Sequence, residues 1–385
     1  MIGRRVALWA AASIALAAHG DDARVRTVYF NAWGGDPAIN DYIAWAGERL
    51  EQEHGITLRH VKVGDISEAV VRLNAEHAAG RDNGGSMDLL WINGENFAAL
   101  KNAGLLYGPW AQDVDGAARI NWQNPTVRVD GNLATDGYEL PWGSVALTFF
   151  YDGARIATPP NTPATLLQWI ENNPGRFTYV QPPSFVGTAF LKQLLLLLTP
   201  APDVLQSPVA ENFDEVTEPI WNWLDRAHPS MWRRGRLFPL SGPAQRELLA
   251  VGEIDWSMAY NPSDASRAIE NGELPVSIRG LHLRGGALAN SHFVAIPYNA
   301  GARDSAILAA AFLISPEAQA HKADERIWGD TTVLNLKKLT PEARARFERA
   351  EHGAATPPPP ASTLSEPHPS WNDALERAWL QRYTR

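Results

Sequence analysis

The chain has 385 residues, 45% of them hydrophobic and 20% charged, with a net charge of −9 and no cysteine. That length can bury a large core and suggests two domains, while the missing cysteines exclude disulfides, thiolate metal sites, cysteine nucleophiles and the lipid-bearing cysteine of a lipoprotein. The acidic balance argues against nucleic acid as a partner, since the most basic run, Arg233-Arg234-Gly235-Arg236, is too short to track a phosphate backbone.

Residues 1–20 read as a secretory signal peptide: Arg4 and Arg5 precede the apolar run Val6–Ala18, and Ala18-His19-Gly20 offers a small-x-small cleavage site. The run is too short to span a bilayer, which takes about 20 residues. Removing Arg4 and Arg5 in a stretch without Asp or Glu leaves a net charge of −11. A soluble, periplasmic, monomeric protein without a lipid anchor is expected.

Thr27–Asn31 reads as a strand, and Asp36 with Pro37 opens a helix whose apolar positions Ile39, Tyr42, Ile43, Ala46 and Leu50 share a face before Gly55 stops it. Ile56–Val63 is the next strand, Asp65 and Glu68 cap a helix over Ile66–Ala79, Asp88–Ile92 is a third strand, and Phe97–Ala103 a short helix. Strand and helix in alternation predict a parallel sheet with right-handed crossovers. The loops leaving the carboxyl ends of such strands converge on a ligand crevice.

Near the middle of the chain, Glu139–Asp152 carries the apolar run Val145–Tyr151 behind a corner of Pro141, Trp142 and Gly143. Leu288–Pro297 has the same character. These two segments read as crossover strands between two lobes, with the ligand between the lobes and the strands as the hinge. The expected fold is therefore α/β, with lobe I over residues 25–141 plus 297–385, its last helices free to pack on the other lobe, and lobe II over 142–296.

Between the crossovers the pattern predicts a helix over Ala164–Asn172, a strand over Phe177–Val180, an exit loop Gln181–Gly187 into a helix over Thr188–Leu198, and a strand over Glu253–Tyr260 leading into Asn261-Pro262-Ser263. After the second crossover come two helices, a proline-rich strap over Thr356–Pro367, and a final helix with the stripe Trp371, Leu375, Ala378 and Trp379.

Catalytic signatures are absent: the chain contains no G-x-S-x-G, H-E-x-x-H, G-x-x-x-x-G-K-[ST] or G-x-G-x-x-G. Its ten histidines show no metal-ligand spacing, and His60, His282 and His292 read as structural. What the strand exits share is aromatic and amide chemistry. Asn31, Trp33 and Gly34 follow the first strand; Trp91, Asn93, Glu95 and Asn96 the third; Trp142 and Asn290 lie on the crossovers; and Ser184, Thr188, Trp256, Tyr260 and Asn261 belong to the second lobe. Such a set suits a small molecule stacked on rings and oriented by a few polar groups, with Glu95 the carboxylate best placed for a cation. No catalytic residue, metal or cofactor is assigned.

Phe30–Gly35, Leu89–Asn96, Pro141–Asp152 and Ala289–Pro297 together resemble the extracellular solute-binding proteins of bacterial ABC importers, the YnjB-like branch in particular. The resemblance implies a periplasmic-binding-protein fold of type II, closure on a ligand, and delivery to an inner-membrane permease. It also implies ligand contacts from Asn31–Gly35, Trp91–Asn96, Ser184–Thr188 and Trp256–Asn261. Iron is not implied, because the adjacent tyrosines of ferric-binding relatives have no counterpart near the C-terminal lobe boundary. Aromatic rings beside a carboxylate, on loops without lysine or arginine, point to a cationic or flat aromatic ligand such as a thiamine-like compound or a polyamine. The competing readings are a sugar-binding protein and a secreted carbohydrate-active enzyme pairing Glu95 with Asp255.

Overall fold

The computed structural model describes residues 26–348 and 353–384, so the leader expected at residues 1–20 lies outside the described residues. In chain order the strands are β1 (Thr27–Trp33), β2 (Thr57–Val63), β3 (Leu89–Ile92), β4 (Val129–Asp130), β5 (Leu133–Ala134), β6 (Glu139–Ala146), β7 (Thr148–Asp152), β8 (Trp256–Ala259), β9 (Ile278–Leu281), β10 (Ala287–Ala295) and β11 (Thr363–Leu364). The first sheet has six strands, in the order β2-β1-β3-β10, with β6 and β11 both paired to β10. Its pairs β1–β2 and β1–β3 are parallel, and β10 is antiparallel to both β3 and β6. A second sheet, β8-β7-β9, is antiparallel throughout.

The local signals explain the first sheet. Asp36 Oδ1 accepts the Ala38 N–H at 2.8 Å and Gly55 turns left-handed at φ 63°, so the helix Pro37–His54 starts and stops where cap chemistry puts it. Its buried face is Ile39, Tyr42, Ile43, Ala46 and Leu50. Before the helix Ser67–Ala78, Glu68 Oε1 accepts from Asp65 N as expected, but Asp65 Oδ1 accepts from Ser67 N instead of Glu68 N, so only one arm of the expected pair forms. One face of the sheet packs on the helices Pro37–His54, Arg303–Leu313 and Pro316–Ala323, and the other on Ser67–Ala78 and Gly94–Asn102.

The second core collects Phe149, Phe177, Tyr179, Phe190, Trp256 and the helices Pro163–Asn172, Phe185–Leu198 and Phe213–Ala227. The final helix, Ser370–Tyr383, buries Trp371, Leu375 and Trp379 in this core, not in the first. Among the described residues no helix is long and apolar enough to cross a membrane.

Three local expectations shift. The run Val145–Tyr151 is not one strand: Leu147 is a break, after which the chain leaves β6 in the first sheet and enters β7 in the second. Phe177–Val180 is buried but makes no strand, because Trp232 N and Gln245 Nε2 take its carbonyls in place of a neighbouring strand. The helix after β3 starts at Gly94, three residues before Phe97, because Gly94 at φ 55° lets the chain turn straight out of the strand.

Candidate functional site between the lobes

The two crossover segments lie side by side. β6 and β10 pair from Ala146↔Ala289 to Glu139↔Ala295, with a register shift between His292 and Phe293. Such a bulge bends a strand and raises its twist. It falls where β10 passes from its pairing with β3 toward the second sheet.

Above the first sheet, Trp91 packs edge-on to Trp142 (centroids 5.1 Å) and His292 (5.1 Å) and lies 5.7 Å from Trp328, while His292 stacks on Trp328 at 18°. A buried ion pair holds this cluster. Lys322 Nζ reaches Asp330 Oδ2 at 2.7 Å, donates to the Trp142 carbonyl, and sits 5.2 Å and 5.3 Å from the Trp142 and Trp328 rings. His292 Nε2 meets the other Asp330 oxygen at 3.3 Å. Burial alone would raise the Asp330 carboxyl, but Lys322 and His292 hold it below the usual range. Gly143 is required here, since a Cβ would run into the Asp330 carboxylate and Lys322 Nζ.

On the opposite face, Asp130 Oδ2 accepts the Gly94 N–H at 2.6 Å, at the start of the helix that follows β3. Burial, with Glu366 nearby, pushes Asp130 up to about 7. Glu139, on β6, is buried with neither oxygen hydrogen-bonded among the described residues; burial and the neighbouring Asp130 push its carboxyl well above the usual range. Glu366 comes from the C-terminal strap. Its Oε1 accepts from the Tyr260 hydroxyl at 3.0 Å and its Oε2 pairs with Lys192. A cavity of about 20 Å³ between the cores is lined by Asp130, Asn132, Asn290, Ser291 and Glu366, with no lysine or arginine in its lining.

The two cores also touch on the aromatic side, where Ser263 Oγ donates to the Gly329 carbonyl at 3.1 Å and Arg267 lies 3.6 Å from Asp36. Asn261 Nδ2 approaches the Trp328 carbonyl at 3.5 Å.

The residues singled out from sequence divide accordingly. Trp33 is 42% exposed and Glu95 is exposed; Gly34, Trp91, Asn93, Asn96, Ser184, Asn261 and Asn290 are half-buried. Asn290 lines the acidic cavity, and Tyr260 reaches it through Glu366. Trp142 and Trp256 are fully buried, Trp142 inside the first core and Trp256 against Tyr151, Trp169 and Phe177 in the second. Neither forms an open wall, because alternation along β6 and β8 turns both side chains into a core. Asn31 is buried under the sheet for the same reason. The Thr188 hydroxyl donates to Glu376 of the final helix at 2.6 Å, and the helix expected at Thr188 starts at Phe185. Asp255 is clamped by Arg176 and Arg155 at the N-terminal end of β8, opposite the exit at Tyr260, so it makes no catalytic pair with Glu95.

His60 and His282 hydrogen-bond backbone carbonyls as structural histidines do, but His292 sits in the aromatic cluster. Asp130, Glu366 and Trp328 were not singled out from sequence. Asp130 lies in a short β4–β5 hairpin with Gly131 and Asn132 at its turn, a recognisable turn signal; Glu366, inside a proline-rich strap, offered none.

Residues 45–338 match the family of bacterial extracellular solute-binding proteins. The chain is 44% identical to protein YnjB of Escherichia coli (strain K12), covering 94% of this chain and 92% of that protein. Among solved structures it is similar to a putative extracellular solute-binding protein from Bordetella parapertussis, with TM-score 0.70 at 13% identity, covering 93% of this chain and 98% of that one. It is also similar to the spermidine/putrescine ABC transporter substrate-binding protein PotD from Streptococcus pneumoniae, with TM-score 0.64 at 12% identity, covering 94% and 100%. At such identities the likeness is one of fold, and it is the two-lobed α/β fold described above. The chain belongs to the bacterial extracellular solute-binding proteins: it is a transport receptor, not an enzyme, and it captures a small molecule for the permease of an ABC importer.

Proposed function

We propose that the captured solute is a cation or a flat, partly aromatic compound, thiamine-like or polyamine-like, held between the lobes. The observation that carries this is the lining of the small cavity beside Asn290, which has two carboxylates and amide and hydroxyl groups but no basic side chain. Half-buried Trp91 and His292, and exposed Trp33, add ring faces on the other side of the same sheet edge. A multiply charged anion would meet Asp130 and Glu366 without a free counter-charge, because Lys192 is taken by Glu366 and Arg267 by Asp36.

In this reading the lobes are residues 25–141 with those after 297, and residues 142–296 together with the final helix; closure of one on the other about β6 and β10 follows binding. The protein works as a monomer, and its leader is removed on export. Thermal-shift and tryptophan-fluorescence titration against thiamine, polyamines, oligosaccharides and oxyanions tests the ligand class. A response to cations supports it, whereas a response to oxyanions or oligosaccharides alone refutes it.

A further inference from the structure

We propose that the cavity bounded by Asp130 and Glu366 is the subsite for a primary ammonium group of the solute, with the C-terminal strap supplying one of its two carboxylates. This rests on the cationic reading above and narrows it.

Size comes first. A cavity of about 20 Å³ holds one water-sized group. A primary ammonium has that size and three donors, which match Asp130, Glu366 and the Asn290 side chain on the cavity wall. A quaternary ammonium is too large and has no donor.

Charge comes second. Lys192 and the Tyr260 hydroxyl satisfy Glu366, but Asp130 has no ion-pair partner among the described residues and accepts from the backbone amides of Gly94 and Gly131. Behind it Glu139 is buried and unpartnered, facing Asp130. Lys101, the nearest counter-charge to Glu139, is tied to Asp136 at 2.6 Å and to the Ala134 carbonyl. Two buried carboxyl groups with two backbone amides as their donors lack a positive charge, and burial of an unpaired charge is costly. Burial favours the protonated form of both carboxyl groups, and an ammonium entering beside Asp130 would let it ionise and release a proton.

Location comes third. Glu366 lies in the C-terminal strap, beyond residues 45–338 that match the family. The strap is fixed there from both sides. Thr363 Oγ1 contacts Asn124 at 3.3 Å near the first sheet, and His368 N donates to the Leu205 carbonyl at 2.7 Å in the second core.

The test is calorimetric titration of the full mature chain with n-butylamine, 1,4-diaminobutane, N,N,N-trimethylbutylammonium and thiamine. The expected result is that the primary amines bind, the trimethylated analogue does not, and Asp130→Asn and Glu366→Gln each weaken amine binding roughly ten- to a hundredfold. Titration in two buffers of different ionisation heat should show proton release near neutral pH in the wild type and none in Asp130→Asn. Asp130→Asn keeps an acceptor for Gly94 N and leaves Lys192 paired, so it reports on binding even where Glu366→Gln loses the fold by circular dichroism. Equal binding of the trimethylated analogue, wild-type affinity in Asp130→Asn, or no binding of any amine overturns the inference. Binding of thiamine alone overturns it while leaving the cationic reading in place; binding of no cation overturns both.

Discussion

Replacing Lys322 by methionine isolates the ion pair beneath the aromatic cluster. Both partners of the pair are fully buried, so the substitution leaves the Asp330 carboxylate with the His292 ring as its remaining side-chain partner and takes one donor from the Trp142 carbonyl. Breaking a buried pair by removing one partner costs about 3–5 kcal/mol. In a chain of this size that lowers the melting midpoint by roughly 4–7 °C. The rings themselves move too, because Lys322 sits over Trp142 and Trp328, so tryptophan emission should change in the folded state before any unfolding. The second arm is the double variant Lys322→Met with Asp330→Leu, which removes both charges and should recover most of the loss, giving a coupling of about 2 kcal/mol or more between the sites. The assay is thermal and urea unfolding followed by circular dichroism and fluorescence. A loss under about 1 kcal/mol in the single variant, or additive losses in the double, would refute the reasoning that the cluster is braced by this pair.

Trp33→Ala should weaken solute binding by about one order of magnitude, from roughly 0.5–2 kcal/mol per ring on a cation, with no loss of melting temperature because the side chain is largely exposed. Trp91→Ala should weaken binding similarly and also lower stability, since that ring touches Trp142, His292 and Trp328; titration calorimetry with parallel melts separates the two effects. The folded state holds the Asp130 proton up to about pH 7 against 3.8 for the free group, so it binds more protons than the unfolded chain and stability falls as pH rises across that window. Melting temperatures from pH 4 to 8 should show this slope, and a slope unchanged in Asp130→Asn would count against it. Arg267→Ala removes the tie to Asp36, and small-angle scattering should then show a larger radius of gyration in the ligand-free protein.

The first sheet was legible because its signals are local: Asp36 and Gly55 bound one helix, Asp65 and Glu68 open another, and the apolar alternation of Val28, Phe30 and Ala32 survives in the core. The crossovers were legible from two apolar segments on aromatic corners, and they do pair as β6 and β10. The site was less so. A tryptophan near a strand exit points to core or cleft by the parity of one residue, and Trp142 and Trp256 fall on the core side while Trp33 falls outside. Nor can composition reveal a carboxylate such as Glu366, which lies 236 positions from Asp130 and meets it only because the strap returns across the fold. The β9 strand was also missed. Its pattern, Ile278-Arg279-Gly280-Leu281, has a glycine inside it, and that glycine is there because Ala355 and Pro357 of the returning strap lie against it.

That strap has a mechanical meaning. The polypeptide leaves the first core at Phe347 and ends with Trp371, Leu375 and Trp379 buried in the second, so it passes between the two bodies three times. Two neighbouring strands such as β6 and β10 make a joint that can both fold and twist. A third link set off to one side, paired with β10 at Ala287 and Leu288 through β11, adds a further tie across that joint. A joint tied at three places should have fewer easy rotations than one tied at two, and a solute whose capture would need the bodies to shear past each other is then expected to be disfavoured.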